Sequence, residues 1–205
     1  MKYELIDNKL FIKNRANFSR EMKKNSIAFF NSNDIYPVSA DSTLPFEQHR
    51  DIFYLSGIDQ EESIVVLCPD NPNPDLREIL FLKETNDHIA VWEGPKINKT
   101  QALKISGIKT VFWLGDLEKV IEKLISSCQN IYLNKNEHYR AKIETETREA
   151  RFNSWLENKY PKKNKERSNP ILQRLRSIKD HKEISLIQQA CDITNKGFRR
   201  ILGFV

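Results

Sequence analysis

Glycine is scarce in this chain, with 6 residues in 205, and none of them forms a pattern that could cradle a phosphate group. The GxSxG and HExxH patterns of serine hydrolases and zinc proteases are also missing. The only cysteines are Cys68, Cys128 and Cys191, and no two of them form a CxxC pair. We therefore expect reduced, buried thiols rather than a disulfide framework or a zinc site.

Long hydrophobic runs are missing as well. No stretch of about 18 apolar residues occurs, so the sequence predicts no membrane span and no membrane partner. The first 15 residues alternate charged and apolar side chains, and they lack the apolar core and small-residue cleavage site of a secretion signal. With 39% hydrophobic and 30% charged residues the composition is that of an ordinary globular protein. We expect a cytoplasmic location.

Positive charge is concentrated in one segment. Residues 159–182 hold nine Lys or Arg against two Asp or Glu, although the net charge of the whole chain is only +5. The remaining residues are therefore slightly acidic. A local run of this kind is usually a solvated connector, so we expect no nucleic-acid partner.

Short β-branched or aromatic runs bounded by turn formers predict a series of strands. These runs are SIAFFN (26–31), SIVVLC (63–68), EILFLK (78–83), IAVW (89–92), KTVFWL (109–114) and NIYLN (130–134). The runs between 63 and 92 indicate consecutive antiparallel strands, and the strand–helix–strand pattern over 109–134 indicates some parallel pairing. Helices are predicted over 14–24, around TQALKIS, after Asp116 and from about Glu137 to Glu157. The pattern is that of an α/β fold.

The segment KYPKKNKERSNP, with two prolines and no apolar period, predicts a boundary. We divide the chain into a domain over 1–158, a basic linker over 159–172 and the start of a second domain over 173–205. Asp180 and Glu183 have the spacing of a capping box that opens a new helix. The apolar stripe of that helix has nothing after it to pack against, which predicts a truncated second domain. Its members are Ile184, Ile187, Cys191, Phe198 and Ile201.

The stretch PFEQHRDIFYLSG (45–57) combines polar residues with an aromatic run. Its His49-Arg50-Asp51 copies the start of the protein-kinase catalytic loop, but the rest of that signature is missing. We interpret it as loop polarity, with Asp51 fixing the turn into an aromatic strand that ends at Gly57. The four histidines are isolated in sequence, so no metal site and no catalytic constellation are predicted within this chain.

Three stretches resemble motifs of one protein family, and they occur along the chain in the same order as in that family. SADSTLPFEQHRDIFYLSGIDQEESIVVL (39–67), IAVWEGPKI (89–97) and LRSIKDHKEISLIQQACDIT (175–194) resemble the amino-terminal domain of aminopeptidase P, in the pita-bread metallopeptidase family, and the start of the domain that follows it. Two departures stand out. Ile52 replaces an expected aromatic residue, and residues 135–172 match nothing in the family, so they receive no transferred role.

The resemblance implies a mixed β-sheet flanked by helices, as in the creatinase amino-terminal domain, followed by the first helix of a pita-bread catalytic domain. It also implies that catalysis lies in that second domain, where two Asp, one His and two Glu bind two divalent metal ions, manganese being the expected metal. None of these ligands is in this chain, which should be inactive alone. The expected partners are peptides with proline at the second position, the chain's own carboxyl-terminal catalytic domain and further copies in a homodimer or tetramer.

The resemblance also singles out two substrate-binding residues. The family's Trp at the position of Trp92 reaches toward the active site of a neighbouring subunit, where a flat apolar ring can wall the substrate pocket. The alternative is a Trp that finishes a strand and packs under the sheet. Asp41, in the Ser-Ala-Asp loop, could face the same pocket, or it could form an ordinary loop-capping Asx turn.

Three functions fit this reading. The first is the assembly and substrate-access domain of a Xaa-Pro aminopeptidase, which removes the amino-terminal residue preceding proline. The second is a prolidase, which prefers dipeptides, and the third is a non-catalytic peptide- or histone-binding domain of the same fold. The Ser-Ala-Asp and Gln-x-x-Asp motifs favour the aminopeptidase.

Overall fold

The computed structural model describes residues 5–140 and 144–204. Six strands form the main sheet and two more form a small hairpin, and eight α-helices surround them within the described residues. The strands are β1 (Ser26–Asn31), β2 (Pro37–Ser39), β3 (Ser42–Thr43), β4 (Ile64–Leu67), β5 (Glu78–Leu82), β6 (Thr110–Trp113), β7 (Asn130–Leu133) and β8 (Asn164–Arg167). The helices are α1 (Lys9–Glu21), α2 (Arg50–Ser56), α3 (Asp87–Glu93), α4 (Lys99–Ser106), α5 (Leu117–Ser126), α6 (Arg148–Lys159), α7 (Asn169–Ser177) and α8 (His181–Leu202).

The main sheet has the strand order β6-β5-β4-β1-β7-β8. Strand β4 is antiparallel to both of its neighbours, whereas the pairs β1–β7, β5–β6 and β7–β8 are parallel. Five strands therefore run in one direction and β4 alone runs against them. The predicted mixed α/β fold is confirmed, and so is parallel pairing. However, β6 and β7, which flank α5, are not neighbours, because β6 pairs with β5 and β7 with β1.

Helices cover both faces of the sheet. All six residues of β1 are buried, because Ala28 and Phe30 pack toward α1, α2, α4 and α7 while Ile27 and Phe29 pack toward α5 and α6. A central strand covered on both sides is apolar at successive positions, which explains why the buried strands are continuous apolar runs. None of the described helices combines the length and apolar character needed to cross a membrane.

Two predicted strands are helices in the structure. IAVW lies in α3, because Asn86 caps the first turn by accepting from the Ile89 amide at 2.9 Å and the chain turns at Gly94. The aromatic run of PFEQHRDIFYLSG lies in α2, which His49 caps and Gly57 ends in a left-handed conformation. In both segments the caps outweigh the β-propensity of the residues between them.

The basic segment 159–172 is not an irregular linker. It contains β8, whose residues pair in parallel with β7, and it leads directly into α7. Charged side chains suit this position because β8 is one of the two edge strands of the sheet, where they hinder pairing with another chain. The position of the domain boundary stays a prediction, and Val205 lies outside the described residues.

The predicted helix from Glu137 to Glu157 is shorter than expected. In the structure α6 begins after Thr147, whose hydroxyl accepts from the Ala150 amide at 3.2 Å, and it ends at Lys159. Residues 141–143 of the predicted helix lie outside the described residues. The predicted helix after Asp116 and the capping box at Asp180 and Glu183 are confirmed.

A short sequence repeat ends two helices. LSGI (55–58) closes α2 and ISGI (105–108) closes α4. In each motif the serine hydroxyl donates to a carbonyl one turn earlier and accepts from the isoleucine amide, and the glycine has φ near +70°. Both helix ends therefore stop in the same way, against α1.

Arg15 of α1 connects these two helix ends. Its side chain is fully buried, and Nη1 donates to the carbonyl oxygens of Leu55 at 2.8 Å and Ser106 at 2.9 Å. The Nε donates to Glu78 Oε2 of β5 at 2.9 Å. One guanidinium thus joins α1 to two helix carboxyl termini and to the sheet.

We predict a graded effect of glycine substitutions. A Cβ on Gly57 would lie 2.2 Å from the buried ring of Phe11 and would also need a positive φ, so Gly57→Ala should destabilise the chain by about 3 kcal/mol. Gly107→Ala should cost about 1 kcal/mol, because the side chain of Ile12 that it meets is half-exposed and can move. Urea unfolding measures both.

Gly115 provides the matched control. It has no positive φ and no heavy atom within 4 Å of an added Cβ, so Gly115→Ala should change stability by less than about 0.5 kcal/mol. Equal losses for the three variants would contradict this account of α1 packing on the two helix ends.

Candidate functional site at the carboxyl edge of the sheet

The segments that leave the carboxyl ends of the parallel strands define a candidate site. The hairpin of β2 and β3 follows β1, α3 follows β5, and Asn134 follows β7. Since β1, β5 and β7 run in the same direction, these three segments leave the same edge of the sheet. In open α/β sheets ligands bind outside the carboxyl ends of the strands.

Trp92 lies on α3 and is one of the most exposed large side chains of the described chain, at 82%. Its neighbour Val91 is 75% exposed, and α3 has no buried residue. The alternative in which Trp92 finishes a strand and packs under the sheet is therefore wrong. An exposed apolar ring on a short capped helix is available for contact with another molecule or domain.

Asp41 lies in the turn between β2 and β3 and is exposed. Among the described residues its carboxylate has no hydrogen-bond or ion-pair partner, so the capping bond of an Asx turn is not formed there. Asp41 and Trp92 leave the same edge of the sheet, but no hydrogen bond or ring contact in the described chain joins them.

A buried polar cluster lies at the same edge, where α2 begins. The Asp51 carboxylate accepts from Asn134 Nδ2 at 3.0 Å and from Nη1 of Arg176 in α7. Asp51 therefore does not fix a turn into a strand, as the sequence suggested. It lies in the first turn of a helix, where a negative charge is favourable, and it connects that helix to β7 and α7.

His49 lies between the two carboxyl groups of this cluster. Its Nδ1 accepts from the Asp51 amide at 3.3 Å, which places the ring proton on Nε2, and Nε2 is 3.6 Å from Glu149 Oε2 in α6. Burial lowers the pKa of His49. Burial, together with the charge of Asp51, raises the pKa of Glu149 to about 8. Burial therefore favours the neutral imidazole of His49 and the protonated carboxyl of Glu149.

Sequence reasoning missed Asn134 and Glu149. Glu149 lies within the segment 135–172 that matched no family pattern, and its burial depends on contacts with residues about 100 positions away. The only member of the cluster to which sequence reasoning had assigned a role was Asp51, which belongs to the first family motif. The cluster lines an open groove together with residues of α7 and α8.

The described residues do not provide a metal centre. Across 5–140 and 144–204 no three His, Cys, Asp or Glu side chains come together in a way that could hold a metal ion. The two-metal centre that the resemblance implies therefore does not fit the described chain, and we assign no chemical step to it here.

Comparison with known proteins agrees with the fold and motifs. Residues 11–132, more than half of the chain, match the family model described as "Aminopeptidase P, N-terminal domain". This chain belongs to the family of aminopeptidase P amino-terminal domains.

Two curated relatives illustrate the extent of the match. Xaa-Pro aminopeptidase 3 of Homo sapiens is 26% identical over 170 residues, which cover 82% of this chain and 33% of the human protein. Xaa-Pro aminopeptidase of Escherichia coli is 21% identical over 206 residues, covering 96% of this chain and 45% of that protein. The chain thus spans a third to a half of the length of these relatives.

Solved structures show the same fold. A Bacillus anthracis protein described as an aminopeptidase P superposes with a TM-score of 0.84 at 26% identity, over 94% of this chain and 46% of that one. Escherichia coli aminopeptidase P superposes with a TM-score of 0.75 at 20% identity, over 93% and 43%. A further structure of the latter enzyme is described as zinc-substituted and in complex with product.

We predict that Glu149→Gln removes a pH dependence of stability. Because the pKa of Glu149 is raised to about 8 from the usual 4.5, the folded chain keeps a proton that the unfolded chain loses between these values. Its contribution to stability is full below pH 4.5 and decreases as pH rises to about 8. The Gln variant should therefore stay within about 1 kcal/mol of the wild type at pH 5 and exceed it by about 4 kcal/mol at pH 8.5, measured by urea unfolding.

Glu157→Gln is the matched control, because Glu157 lies on the same helix but is exposed. It should reproduce the wild-type pH profile. Parallel profiles for the wild type and Glu149→Gln would show that Glu149 does not hold a proton in the folded chain.

Proposed function

We propose that this chain is the assembly and substrate-access part of a metal-dependent Xaa-Pro aminopeptidase. The full-length enzyme removes the amino-terminal residue of peptides with proline at the second position. The observation that carries this proposal is the match of residues 11–132 to the aminopeptidase P amino-terminal domain, together with relatives named Xaa-Pro aminopeptidase. Because this chain covers only part of those relatives, the catalytic domain and its metal ions are assigned to the remainder of the protein.

The metal in the proposed enzyme is a pair of divalent ions, with manganese expected, held by the catalytic domain. Among the described residues, no three His, Cys, Asp or Glu side chains come together in a way that could hold such an ion. The chain alone is therefore proposed to be inactive and to contribute contacts rather than chemistry.

Trp92 is the residue we propose for substrate access. Its exposed apolar ring is available for contact with another domain or subunit. In a homodimer or tetramer, the ring would wall the substrate pocket of a neighbouring copy, with Asp41 facing the same pocket. Two observations support the proposal. The segments that carry Asp41 and Trp92 leave the same edge of the sheet, and both side chains are exposed.

The activity is tested with the protein encoded by the complete gene, supplied with Mn²⁺. We expect release of Arg from Arg-Pro-Pro, a lower rate with the dipeptide Arg-Pro, and no release from Arg-Ala-Ala. Faster cleavage of the dipeptide would indicate a prolidase instead. No cleavage of any of the three peptides, with bound metal confirmed by elemental analysis, would favour a non-catalytic binding domain.

Trp92→Ala should lower kcat/KM for Arg-Pro-Pro about tenfold in that protein, which corresponds to loss of about 1.4 kcal/mol of contact to the peptide. The melting temperature of the variant should stay close to that of the wild type, because the ring contributes little to this domain's own core. Steady-state kinetics and thermal unfolding measure the two effects.

Val91→Ala is the matched control, because Val91 is a similarly exposed apolar residue on the same helix. It should leave both kinetics and stability close to wild type. An unchanged kcat/KM in Trp92→Ala, with the oligomeric state verified by light scattering, would refute the access role.

A further inference from the structure

Two cysteines far apart in sequence meet at the opposite, amino edge of the sheet. Cys68 follows the end of β4 and Cys128 follows α5, and their sulfur atoms are 3.6 Å apart. Both residues are at most 3% exposed, and both are free thiols. The expectation of buried thiols is confirmed for this pair, whereas Cys191 on α8 is exposed within the described chain.

The surroundings of the two thiols differ. The pKa of Cys128 is lowered mainly by the hydrogen bond with Cys68, and Ser127 and the ammonium of Lys163 act in the same direction. The pKa of Cys68 is raised by the same hydrogen bond and by burial. Lys163 is held close, because its Nζ donates to the Cys128 carbonyl oxygen at 2.5 Å. The nearby ammonium of Lys163 therefore favours a thiolate at Cys128, with Cys68 as the adjacent partner.

We propose that Cys68 and Cys128 are an oxidisable pair that forms an intramolecular disulfide with hydrogen peroxide. The Cys128 thiolate attacks one peroxide oxygen, the O–O bond breaks, and a sulfenic acid forms as hydroxide leaves and takes up a proton. The sulfur of Cys68, losing its proton, then attacks the sulfenic sulfur and expels the second oxygen as water. Two thiols are oxidised by two electrons, and one peroxide is reduced to two waters.

The geometry favours this reaction over oxidation of either thiol alone. The sulfur atoms are already in contact, so the bond needs an approach of about 1.5 Å, which side-chain rotation and small loop shifts can supply. The bridge would tie the loop after β4 to the loop between α5 and β7, and it would enclose β5, α3, α4, β6 and α5. Such a long closed loop stabilises a fold by restricting the unfolded chain.

The test uses the 205-residue chain carrying Cys191→Ser, which removes the exposed thiol as a source of intermolecular bridges. The chain is treated with stoichiometric hydrogen peroxide, and unreacted thiols are blocked before digestion. We expect a mass loss of about 2 Da in the intact chain, reversed by dithiothreitol, and a linked peptide pair containing Cys68 and Cys128. The melting temperature should rise by several degrees on oxidation and return on reduction.

Cys68→Ser and Cys128→Ser in the same background should each abolish the mass loss, and Cys68→Ser should instead gain oxygen on Cys128. Peptide mapping of the Cys191→Ser chain decides the matter even if these variants fold poorly. Unchanged thiols, or addition of oxygen without a linked peptide pair, would overturn the proposal.

Discussion

Arg15 is fully buried, yet it carries a positive charge that water would otherwise solvate. The structure compensates this charge with the carbonyl groups at the ends of α2 and α4 and with the carboxylate of Glu78. The carboxyl ends of two helices bear partial negative charge, so without a cation between them they would repel each other. Loss of a buried partner of this kind typically costs about 3–5 kcal/mol. The placement of α2 and α4, and through them of one face of the sheet, therefore depends on this one side chain.

Most of the strands could be predicted from the sequence because they are covered on both faces and are continuous apolar runs. The strands at 26–31, 63–68, 78–83, 109–114 and 130–134 were found in this way. The errors at α2 and α3 have a common cause. Both segments contain β-branched or aromatic residues, but a capping side chain and a turn at glycine fix each as a helix of two turns. Strand β8 was missed for the opposite reason, since an edge strand needs no apolar pattern.

The candidate site could be predicted only in part. Trp92 and Asp41 came from a local motif, and the structure adds that both segments leave one edge of the sheet. That relation depends on strand order, which local sequence does not encode. Glu149 could not be found, because its raised pKa results from burial against residues about 100 positions away.

The link between Asp51 and Arg176 joins two of the distant family motifs in space. Asp51 belongs to the first family stretch, and Arg176 belongs to the stretch that leads into α8. If Arg176 were lost, the buried carboxylate would keep only its bond from Asn134 among the described partners, and α7 would lose its charged contact with α2. A paired charge at this position adds little stability relative to an apolar pair, but the buried carboxylate must stay within reach of its cation, and this restricts where α7 can lie against α2. Only three residues separate α7 from α8, so this contact lies close to the point where the chain enters α8.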